Sequence, residues 1–557
     1  MKTFDHTKYS ATEKIDLPTR QWPNRVITHA PRWASVDLRD GNQALLEPMN
    51  VDQKKRLWNL LIKMGFKEIE VGFPAASQAD YDFVRWLIEA QQIPHDVQIQ
   101  VLVQAREELI KKTFVALKGV ARAIVHVYNS TSKIQREHVF GLNKAGITAI
   151  ATQGASFVQQ ESQKYPETEW RFQYSPESFT STEIDYAVEI CDAVIDVWQP
   201  TPENPCIINL PSTVEVSTPN VFADQIEYFV THINRRDSII LSVHTHNDRG
   251  CAVASAELAL LAGADRVEGT LLGNGERTGN MDITTMAMNL YSQGIDPELD
   301  LSNPDEIIQV YTETTQLPVH PRHPWLGELV YTAFSGSHQD AIRKCLQQQE
   351  HDEPWQVAYL PVDPKDLGRN YEAVIRVNSQ SGKGGIAFVL ERDFGMVLPR
   401  WIQTELASIV QQVSDKQSGE IDSQLIYDLF TKHFVCDQTP FALVGHQLSH
   451  SNNSDTIDIQ LKNAEQLLHL NGKGKGAISA FIDALENETG QQIKVLDYSE
   501  HAIEEGTNAA AAAYVLLEID GQAISGAAID HDTVSASLKA VVSGLNQVAI
   551  TSVKLVG

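Results

Sequence analysis

Residues 239–248 read IILSVHTHND, a mostly apolar run typical of a buried β-strand that is followed at once by polar side chains. Side chains two positions apart on a strand point to the same side, so His244 and His246 face one point from a rigid support. Imidazole nitrogens are good ligands for divalent metals, and a metal with an open coordination position polarises a bound carbonyl group. Because a lone histidine pair more often satisfies hydrogen bonds in a core, a metal site needs further ligands from elsewhere in the chain.

The segment 36–43, VDLRDGNQ, offers such a ligand just past another short apolar run. Asp40 is the candidate third ligand, although a charged pair before a glycine is also common in surface loops. Arg39 would neutralise charge that develops on a bound carbonyl oxygen. Farther along, Asn280 could add an oxygen ligand or a supporting hydrogen bond.

The region from about residue 30 to about residue 295 alternates short apolar runs with longer amphipathic ones. Eight strand–helix units in this length have the size and rhythm of a TIM (β/α)8 barrel. A doubly wound open sheet is the alternative, but no G-x-G-x-x-G follows the first strand. The predicted strands are residues 34–38, 68–72, 98–103, 123–128, 171–174, 207–210, 239–243 and 266–269.

Chemically active side chains fall at or just after the carboxyl ends of these predicted strands, where TIM-barrel active sites are built. Polar residues placed at random would fall at both ends, so the clustering favours the barrel independently. The residues concerned are Asp40, His126, Glu177, Thr213, His244 and His246.

A glycine-rich loop, GNGERTGN at 273–280, follows the eighth predicted strand. At that place such a loop often binds a phosphate or a pyrophosphate-bearing cofactor, although glycine-rich turns are commonplace. Its candidate binding residues are Gly273, Asn274, Gly275 and Arg277.

The rest of the chain lacks this alternation. His338 and Tyr359 lie in the polar middle region and become candidates for proton transfer only if that region covers a barrel mouth.

The last 120 or so residues contain two similar halves, each a strand followed by a Gly/Ala-rich turn and an amphipathic helix. The predicted strands are 456–461 and 513–519, and the predicted turn-and-helix stretches are 472–486 and 526–545. The pattern predicts a β-rich ligand-binding module with internal pseudo-symmetry, or a plain dimerisation domain.

The composition narrows the function classes. A chain of 557 residues with a formal net charge of -27 predicts two to four domains and argues against nucleic-acid or anionic-membrane partners, which need a basic face. The five cysteines form no C-x-x-C pair, so neither a disulfide framework nor a structural zinc site is expected. Residues 1–10 show no secretory pattern and 509–517 is too short to span a bilayer, so we expect a cytoplasmic protein.

Taken together, the motifs resemble those of the 2-isopropylmalate synthase family. LRDGNQ (38–43), HTHND (244–248) and GNGERTGN (273–280) are similar to its signature motifs, which homocitrate and citramalate synthases share in looser form. YTAFSGSHQDA (331–341) and RVNSQSGKGG (376–385) are similar to more specific motifs of its longer bacterial and fungal branch. The resemblance runs from about residue 20 to the C-terminus.

The resemblance implies a Claisen-type condensation of acetyl-CoA with 2-oxoisovalerate, which gives 2-isopropylmalate and CoA in the first committed step of leucine synthesis. It implies that Asp40, His244 and His246 hold a divalent cation and that Asn280 completes or supports the set. Mg²⁺ is the favoured ion, and Mn²⁺ and Zn²⁺ stay open.

The same resemblance implies roles for the neighbouring residues. Arg39 would stabilise the alkoxide, His126 and Thr213 would position the oxo acid, and Glu177 would lie near the alkyl end and the acetyl group. The loop at 273–280 would bind acetyl-CoA.

The resemblance also implies a homodimer with a shared active site, because His338 and Tyr359 would come from the partner subunit. The expected domains are an N-terminal arm (1–30), the catalytic barrel (31–298), linker subdomains over the partner's active site (299–436) and a leucine-sensing domain (437–557). Leucine would bind there as an allosteric inhibitor, through Gly474, Gly476, Ala477 and Ala528. The family's turn often reads Gly-Asn-Gly-Pro, whereas this chain has GKGA at 474–477, which puts the strength of inhibition in doubt.

Three other functions compete. A sister enzyme that condenses acetyl-CoA with pyruvate or 2-oxoglutarate would share the metal site and differ around the alkyl group. A catalytically silent leucine- or metal-binding regulator would not need the whole set of catalytic residues. A biotin-dependent carboxyltransferase is disfavoured because no Met-Lys-Met motif is present.

Overall fold

The computed structural model describes residues 4–12, 14–351, 353–369, 383–414, 421–450, 454–464, 466–504, 506 and 509–554. The first seven residues of the predicted motif at 376–385 lie outside these ranges. The chain forms two compact units, Met1–Val330 and Tyr331–Gly557, which are described separately.

The first unit contains a closed barrel of eight parallel strands in sequential order, which confirms the predicted TIM barrel. Each strand pairs with its neighbours in the chain, and β1 also pairs with β8 to close the barrel. The strands are β1 (Arg32–Ser35), β2 (Glu68–Glu70), β3 (Gln98–Gln104), β4 (Arg122–Ser130), β5 (Glu169–Glu177), β6 (Cys206–Ser212), β7 (Ile239–Thr245) and β8 (Arg266–Gly269).

Helices alternate with the strands because their apolar faces cover the outside of the barrel. Helix α1 shows the local signals well: the Asn50 side chain accepts from the Gln53 N–H in a capping box, and Gly65 ends the helix at a φ of 102°. The helices of this unit are α1 (Val51–Met64), α2 (Gln78–Glu89), α3 (Glu107–Ala116), α4 (Lys144–Ser162), α5 (Ile184–Trp198), α6 (Pro219–His232), α7 (Ala252–Ala262), α8 (Ile283–Tyr291) and α9 (Pro304–Thr315).

The first strand is shorter than predicted. It ends at Ser35, and Asp37–Gly41 forms a π-helical turn where the sequence predicted strand as far as residue 38. The Asp37 carboxylate at the start of this turn accepts the Leu271 N–H at 3.0 Å, just past β8, the strand that pairs with β1. This turn carries Arg39 and Asp40.

The second unit contains two three-stranded antiparallel sheets. The first is followed by α14 and the second by α15, so each half has the order strand, strand, strand, helix. The elements are α10 (Gly336–Gln348), α11 (Lys383–Phe394), α12 (Arg400–Ser414), α13 (Ser423–Phe434), β9 (Phe441–His450), β10 (Asp455–Asn463), β11 (Gln466–Gly474), α14 (Ala477–Thr489), β12 (Ile493–Ala502), β13 (Ala511–Ile519), β14 (Gln522–Asp530) and α15 (Thr533–Lys554).

The predicted turn-and-helix stretches begin at Gly472 and Gly526, but both glycines belong to strands, and the helices begin later, at Ala477 and Thr533. A Cβ on Gly472 would lie 2.0 Å from the Ala480 carbonyl oxygen, and one on Gly526 would lie 2.3 Å from that of Ala540. The glycines therefore serve close packing of a strand on the helix that follows it. Both halves share this device, which fits the predicted pseudo-symmetry.

The second unit is held together by apolar packing. One buried cluster combines both halves and includes Ile457, Phe481, Val515 and Leu545, while a second cluster joins α11, α12 and α13 to one face of β13 and β14. Within the described ranges, no helix is long and apolar enough to cross a membrane.

Candidate active site

Asp40, His244 and His246 come together at the carboxyl end of the barrel. Their ligand atoms all lie within 4.8 Å of one another, and all three residues are buried. Both imidazoles turn Nε2 toward Asp40, at 3.9 Å from its Oδ2 in each case. Two nitrogens and a carboxylate oxygen that converge on one point form a suitable ligand set for a divalent cation.

The local elements fix this geometry. His244 lies within β7, and His246 lies just past its end, where the backbone still bridges to Asn280. The Met281 N–H donates to the Thr245 carbonyl oxygen at 2.8 Å, so the glycine-rich loop runs beside the end of the strand. Asn280 is thereby held next to His246.

Asn280 is oriented as a fourth member of the set. Its Nδ2 donates to Asp40 Oδ2 at 2.6 Å and to the Asn274 carbonyl oxygen at 2.9 Å. Its Oδ1 is buried and has no hydrogen-bond partner within the described structure. A buried carbonyl oxygen normally has a partner, so this atom fits a metal ligand or an ordered water.

The loop at 273–280 needs its glycines. Gly279 has a φ of 97°, and a Cβ there would lie 1.9 Å from the Gly273 carbonyl oxygen. Arg277 has a φ of 57°, and its guanidinium donates to Asp248 Oδ1 at 2.7 Å. The strained backbone thus holds Arg277 at the rim beside the histidine motif.

The electrostatics keep Asp40 and His246 deprotonated. Burial opposes ionisation of Asp40, but Arg39, His244 and His246 outweigh it and lower its pKa to about 2. Burial, together with the nearby His244, lowers the pKa of His246 to about 4. Both groups therefore have free lone pairs at neutral pH, as metal binding requires.

Arg39 lies beside this cluster and is held from two sides. Its Nη1 donates to Asp40 Oδ1 at 2.6 Å, and its Nε donates to Glu70 Oε2 at 2.5 Å. The other oxygen of Glu70 lies 2.8 Å from His126 Nδ1. Glu70 thus joins two predicted site residues, although the sequence analysis did not identify it.

A cavity of about 240 Å³ opens above these residues at the carboxyl ends of the strands. Eight predicted site residues line it, including Thr213, Glu177 and Arg277. Its full lining is Arg39, Asp40, Gln43, Phe73, Leu102, His126, Tyr128, Ser175, Glu177, Asn209, Pro211, Thr213, His244, His246, Glu276 and Arg277.

Glu177 and Thr213 are tied to neighbouring strand ends. The Ser130 hydroxyl donates to the Glu177 carboxylate, and the Ser178 N–H donates to Thr213 Oγ1 at 2.9 Å. Arg277 donates to the Thr213 carbonyl oxygen at 2.6 Å. These bonds hold one wall of the cavity in place.

Ser175, Asn209 and Tyr128 also line the cavity and were missed by the sequence analysis. The signal that could have found Ser175 and Asn209 is alternation, because polar residues at inward-facing positions of a barrel strand stand out among apolar ones.

His338 and Tyr359 belong to the second unit and stack on each other. Their ring centroids are 4.0 Å apart with 25° between the ring planes. Tyr359 is 61% exposed and has a φ of 65°, an uncommon conformation for an aromatic residue. The two side chains therefore form one pair that presents a phenol to its surroundings.

A second cavity, of about 320 Å³, lies in the second unit between the starts of α14 and α15. Gly476 and Ala477 line it together with Tyr498 and Glu500 of β12. The other two predicted leucine-binding residues differ in setting. Gly474 packs on α14, where a Cβ would lie 2.4 Å from the Ala480 nitrogen, and Ala528 is buried in the core.

The closed parallel barrel with these residues at its carboxyl end defines a TIM-barrel enzyme of the HMGL-like class, whose family model matches residues 30–310. Models for the alpha-isopropylmalate synthase post-catalytic domain and the LeuA allosteric (dimerisation) domain match residues 328–391 and 420–549.

Curated relatives carry the assignment further. The 2-isopropylmalate synthase of Pseudomonas savastanoi pv. phaseolicola is 53% identical over 97% of both chains. That of Alcanivorax borkumensis is 53% identical over 100% of this chain and 99% of its own. The chain belongs to the 2-isopropylmalate synthase family.

Proposed function

We propose that the barrel cavity condenses acetyl-CoA with 2-oxoisovalerate to give 2-isopropylmalate and CoA. The observation that carries this proposal is the convergence of Asp40, His244, His246 and Asn280 beside a fixed arginine, Arg39, in one cavity. The relatives named 2-isopropylmalate synthase support the choice of reaction.

Asp40, His244 and His246 would hold a divalent cation, and the unpartnered Asn280 Oδ1 fits a further ligand or a support. When bound, such a cation acts as a Lewis acid and as a template for a 2-oxo acid. We favour Mg²⁺, with Mn²⁺ and Zn²⁺ as the alternatives that metal substitution would distinguish.

Arg39 stabilises the oxygen on which negative charge develops during attack on the keto carbon. Its guanidinium is held by Asp40 and Glu70, so it is oriented before substrate arrives and costs little reorganisation. His126 and Thr213, which also line the cavity, orient the oxo acid, and Glu177 lies toward its alkyl end. The loop at 273–280, with Arg277 at the rim, receives acetyl-CoA.

His338 and Tyr359 complete the site from the partner subunit of a homodimer and move the proton that enolisation of the acetyl group requires. Two features support this role. The stacked pair exposes its phenol, and the family model that covers residues 420–549 describes a dimerisation domain.

Leucine inhibits from the second unit, where the cavity at the starts of α14 and α15 accepts it. A helix N-terminus favours a carboxylate, and the Glu500 carboxylate offers charge complementarity to an ammonium group. Inhibition then couples two separate sites, so substrate and leucine affinities change reciprocally.

The test is thiol release from acetyl-CoA with Mg²⁺ across a panel of 2-oxo acids, with and without leucine. Release specific to 2-oxoisovalerate and suppressed by leucine is the expected result. Release with pyruvate or 2-oxoglutarate would instead identify a sister enzyme, and no release would revive the silent-regulator function.

A variant separates the role of the stacked pair from substrate binding. His338→Ala should lower kcat strongly with little change in the KM for the oxo acid, because proton transfer is a transition-state contribution. A large rise in KM at unchanged kcat would make His338 a binding residue instead.

A further inference from the structure

Directly beneath the cavity, the barrel interior contains a carboxylate, Glu268, that is fully enclosed by donors. It lies in β8, and its side chain is 0% exposed. Its two oxygens have different partners: Oε1 accepts from Arg266 Nη1 (2.8 Å), Gln173 Nε2 (2.8 Å) and Gln100 Nε2 (3.2 Å), and Oε2 accepts from Asn209 Nδ2 (3.3 Å) and lies 2.9 Å from His244 Nδ1.

These contacts determine which nitrogen of His244 holds the proton. A carboxylate paired with a guanidinium only accepts hydrogen bonds, so the proton of His244 must lie on Nδ1. The lone pair then lies on Nε2, the atom that faces Asp40. In neutral imidazole only the unprotonated nitrogen can bind a metal.

The second imidazole is held differently. His246 Nδ1 is buried and has no hydrogen-bond partner within the described structure, so no protein group selects its tautomer. Of the two histidines, His244 is therefore the one whose tautomer a protein group fixes, through Glu268.

We propose that Glu268 is a positioning residue that locks His244 in its metal-binding tautomer, with Arg266, Gln173 and Gln100 fixing the carboxylate from below. The role rests on the metal site of the proposed function. It gives a function to the buried Arg266–Glu268 ion pair, which does not line the cavity. Groups that hydrogen-bond to a metal ligand from behind commonly change metal affinity 10- to 100-fold.

The informative variant is Glu268→Gln, which keeps size and shape. Three donors point at the Oε1 position, so the single carbonyl oxygen of glutamine is drawn there and its NH₂ group turns toward His244. An NH₂ group can only donate, which moves the imidazole proton to Nε2 and blocks the metal-binding nitrogen.

The measurement is Mn²⁺ binding to the metal-free full chain, followed by electron paramagnetic resonance without substrate. Glu268→Gln should bind Mn²⁺ at least tenfold more weakly than the parent. The matched control is Asp224→Asn, which also removes a buried carboxylate paired with an arginine, Arg20, but in α6. It should bind Mn²⁺ within twofold of the parent.

If Glu268→Gln fails to fold, Glu268→Asp keeps the charge that Arg266 needs and draws the oxygen back by about one carbon–carbon bond, roughly 1.5 Å. It should also weaken Mn²⁺ binding, by at least threefold. Affinity within twofold of the parent in the folded variant would overturn the proposal.

Asp40→Ala separates this failure from failure of the metal site itself. If it weakens Mn²⁺ binding while Glu268 variants do not, only the positioning role is lost. If neither Asp40→Ala nor the Glu268 variants affect binding, the metal assignment and the positioning role fall together.

Discussion

The two units bury different kinds of side chain. The barrel unit buries numerous ionisable residues, among them Asp37, Lys54, Glu70, Arg266 and Glu268. Among the described residues of the second unit, the buried polar side chains are all uncharged: Gln339, Ser414, Ser525, Ser537, Ser543 and Asn546.

The contrast indicates which kind of buried side chain each unit uses in its core. Buried charges are costly to desolvate, and an apolar core of equal volume is often at least as stable. The barrel retains them where they orient side chains of the candidate site, as Glu70 does for Arg39 and His126. The described core of the second unit is built mainly from apolar side chains. Changes in the barrel should therefore separate activity from stability, whereas changes in the second core should act first on stability.

The largest effect is expected at the metal ligands. Asp40→Ala should reduce thiol release on the order of a thousandfold or more, because the candidate ligand set loses its carboxylate and Arg39 loses a partner. Circular dichroism should still report a folded chain. Activity near that of the parent would contradict the assignment of Asp40 as a metal ligand. It would also contradict the inference that the buried charges of the barrel serve the candidate site.

A pH effect follows from Asp37, which is buried and has no cationic partner among the described residues. Burial raises its pKa from 3.8 to about 7. The folded state therefore holds a proton that the unfolded chain releases, so this contribution to stability is complete below pH 3.8 and is lost as pH rises through about 7. The difference is at most roughly 4 kcal/mol.

Asp37→Asn should remove that pH dependence, as measured by urea unfolding between pH 4 and pH 8. The control is Asp82→Asn, an exposed carboxylate on α2 that accepts a hydrogen bond from Gln78. Identical slopes in all three proteins would mean that Asp37 is ionised in the folded barrel.

A packing change tests the second unit. Gly472→Val should lower its free energy of unfolding by about 1–3 kcal/mol or more, since even a Cβ meets the backbone of α14. Gly445→Val in β9 is the matched control, because a Cβ there meets only Gln460 Oε1, at 4.0 Å. Hydrogen exchange resolved by segment should show the loss in the second unit only; equal loss in the barrel would contradict independent cores.

The smallest effect is expected at a surface ion pair. Lys63 Nζ of α1 lies 2.5 Å from Glu306 of α9, with 62% and 33% of the two side chains exposed. Exposed pairs contribute little, so Lys63→Ala should change the unfolding free energy by less than about 1 kcal/mol. A larger loss of stability in thermal unfolding would show that charged side chains outside the barrel interior also stabilise the fold.

The barrel and its ligand cluster could be predicted from the sequence because both depend on local order along the chain. Strand and helix periods are visible in single segments, and residues at the carboxyl ends of parallel strands must meet at one face. The π-helical turn at Asp37–Gly41 was not predictable in this way; its Asp37 carboxylate contacts Leu271, which lies 234 positions away in the chain.

Glu70 and Glu268 lie within predicted strands, but neither was predicted as a site residue. A strand pattern shows that an inward-facing residue is polar, but not which imidazole it supports, because that depends on a partner from another strand. In the second unit, Gly472 and Gly526 were assigned to turns, so β11 and β14 were not predicted; their close packing on a helix is a three-dimensional property.

The core shared by the two halves of the second unit has a consequence for synthesis on the ribosome. Helix α15 packs on β9, where the Phe441 N–H donates to Asn546 Oδ1 at 2.9 Å and Asn546 Nδ2 donates to the Phe441 carbonyl oxygen at 2.8 Å. The packing of the first sheet, β9–β11, is therefore complete only after α15 has been synthesised. Until then, the part of the sheet's apolar face that α15 covers, as opposed to the part under α14, is open to chaperones and to other nascent chains.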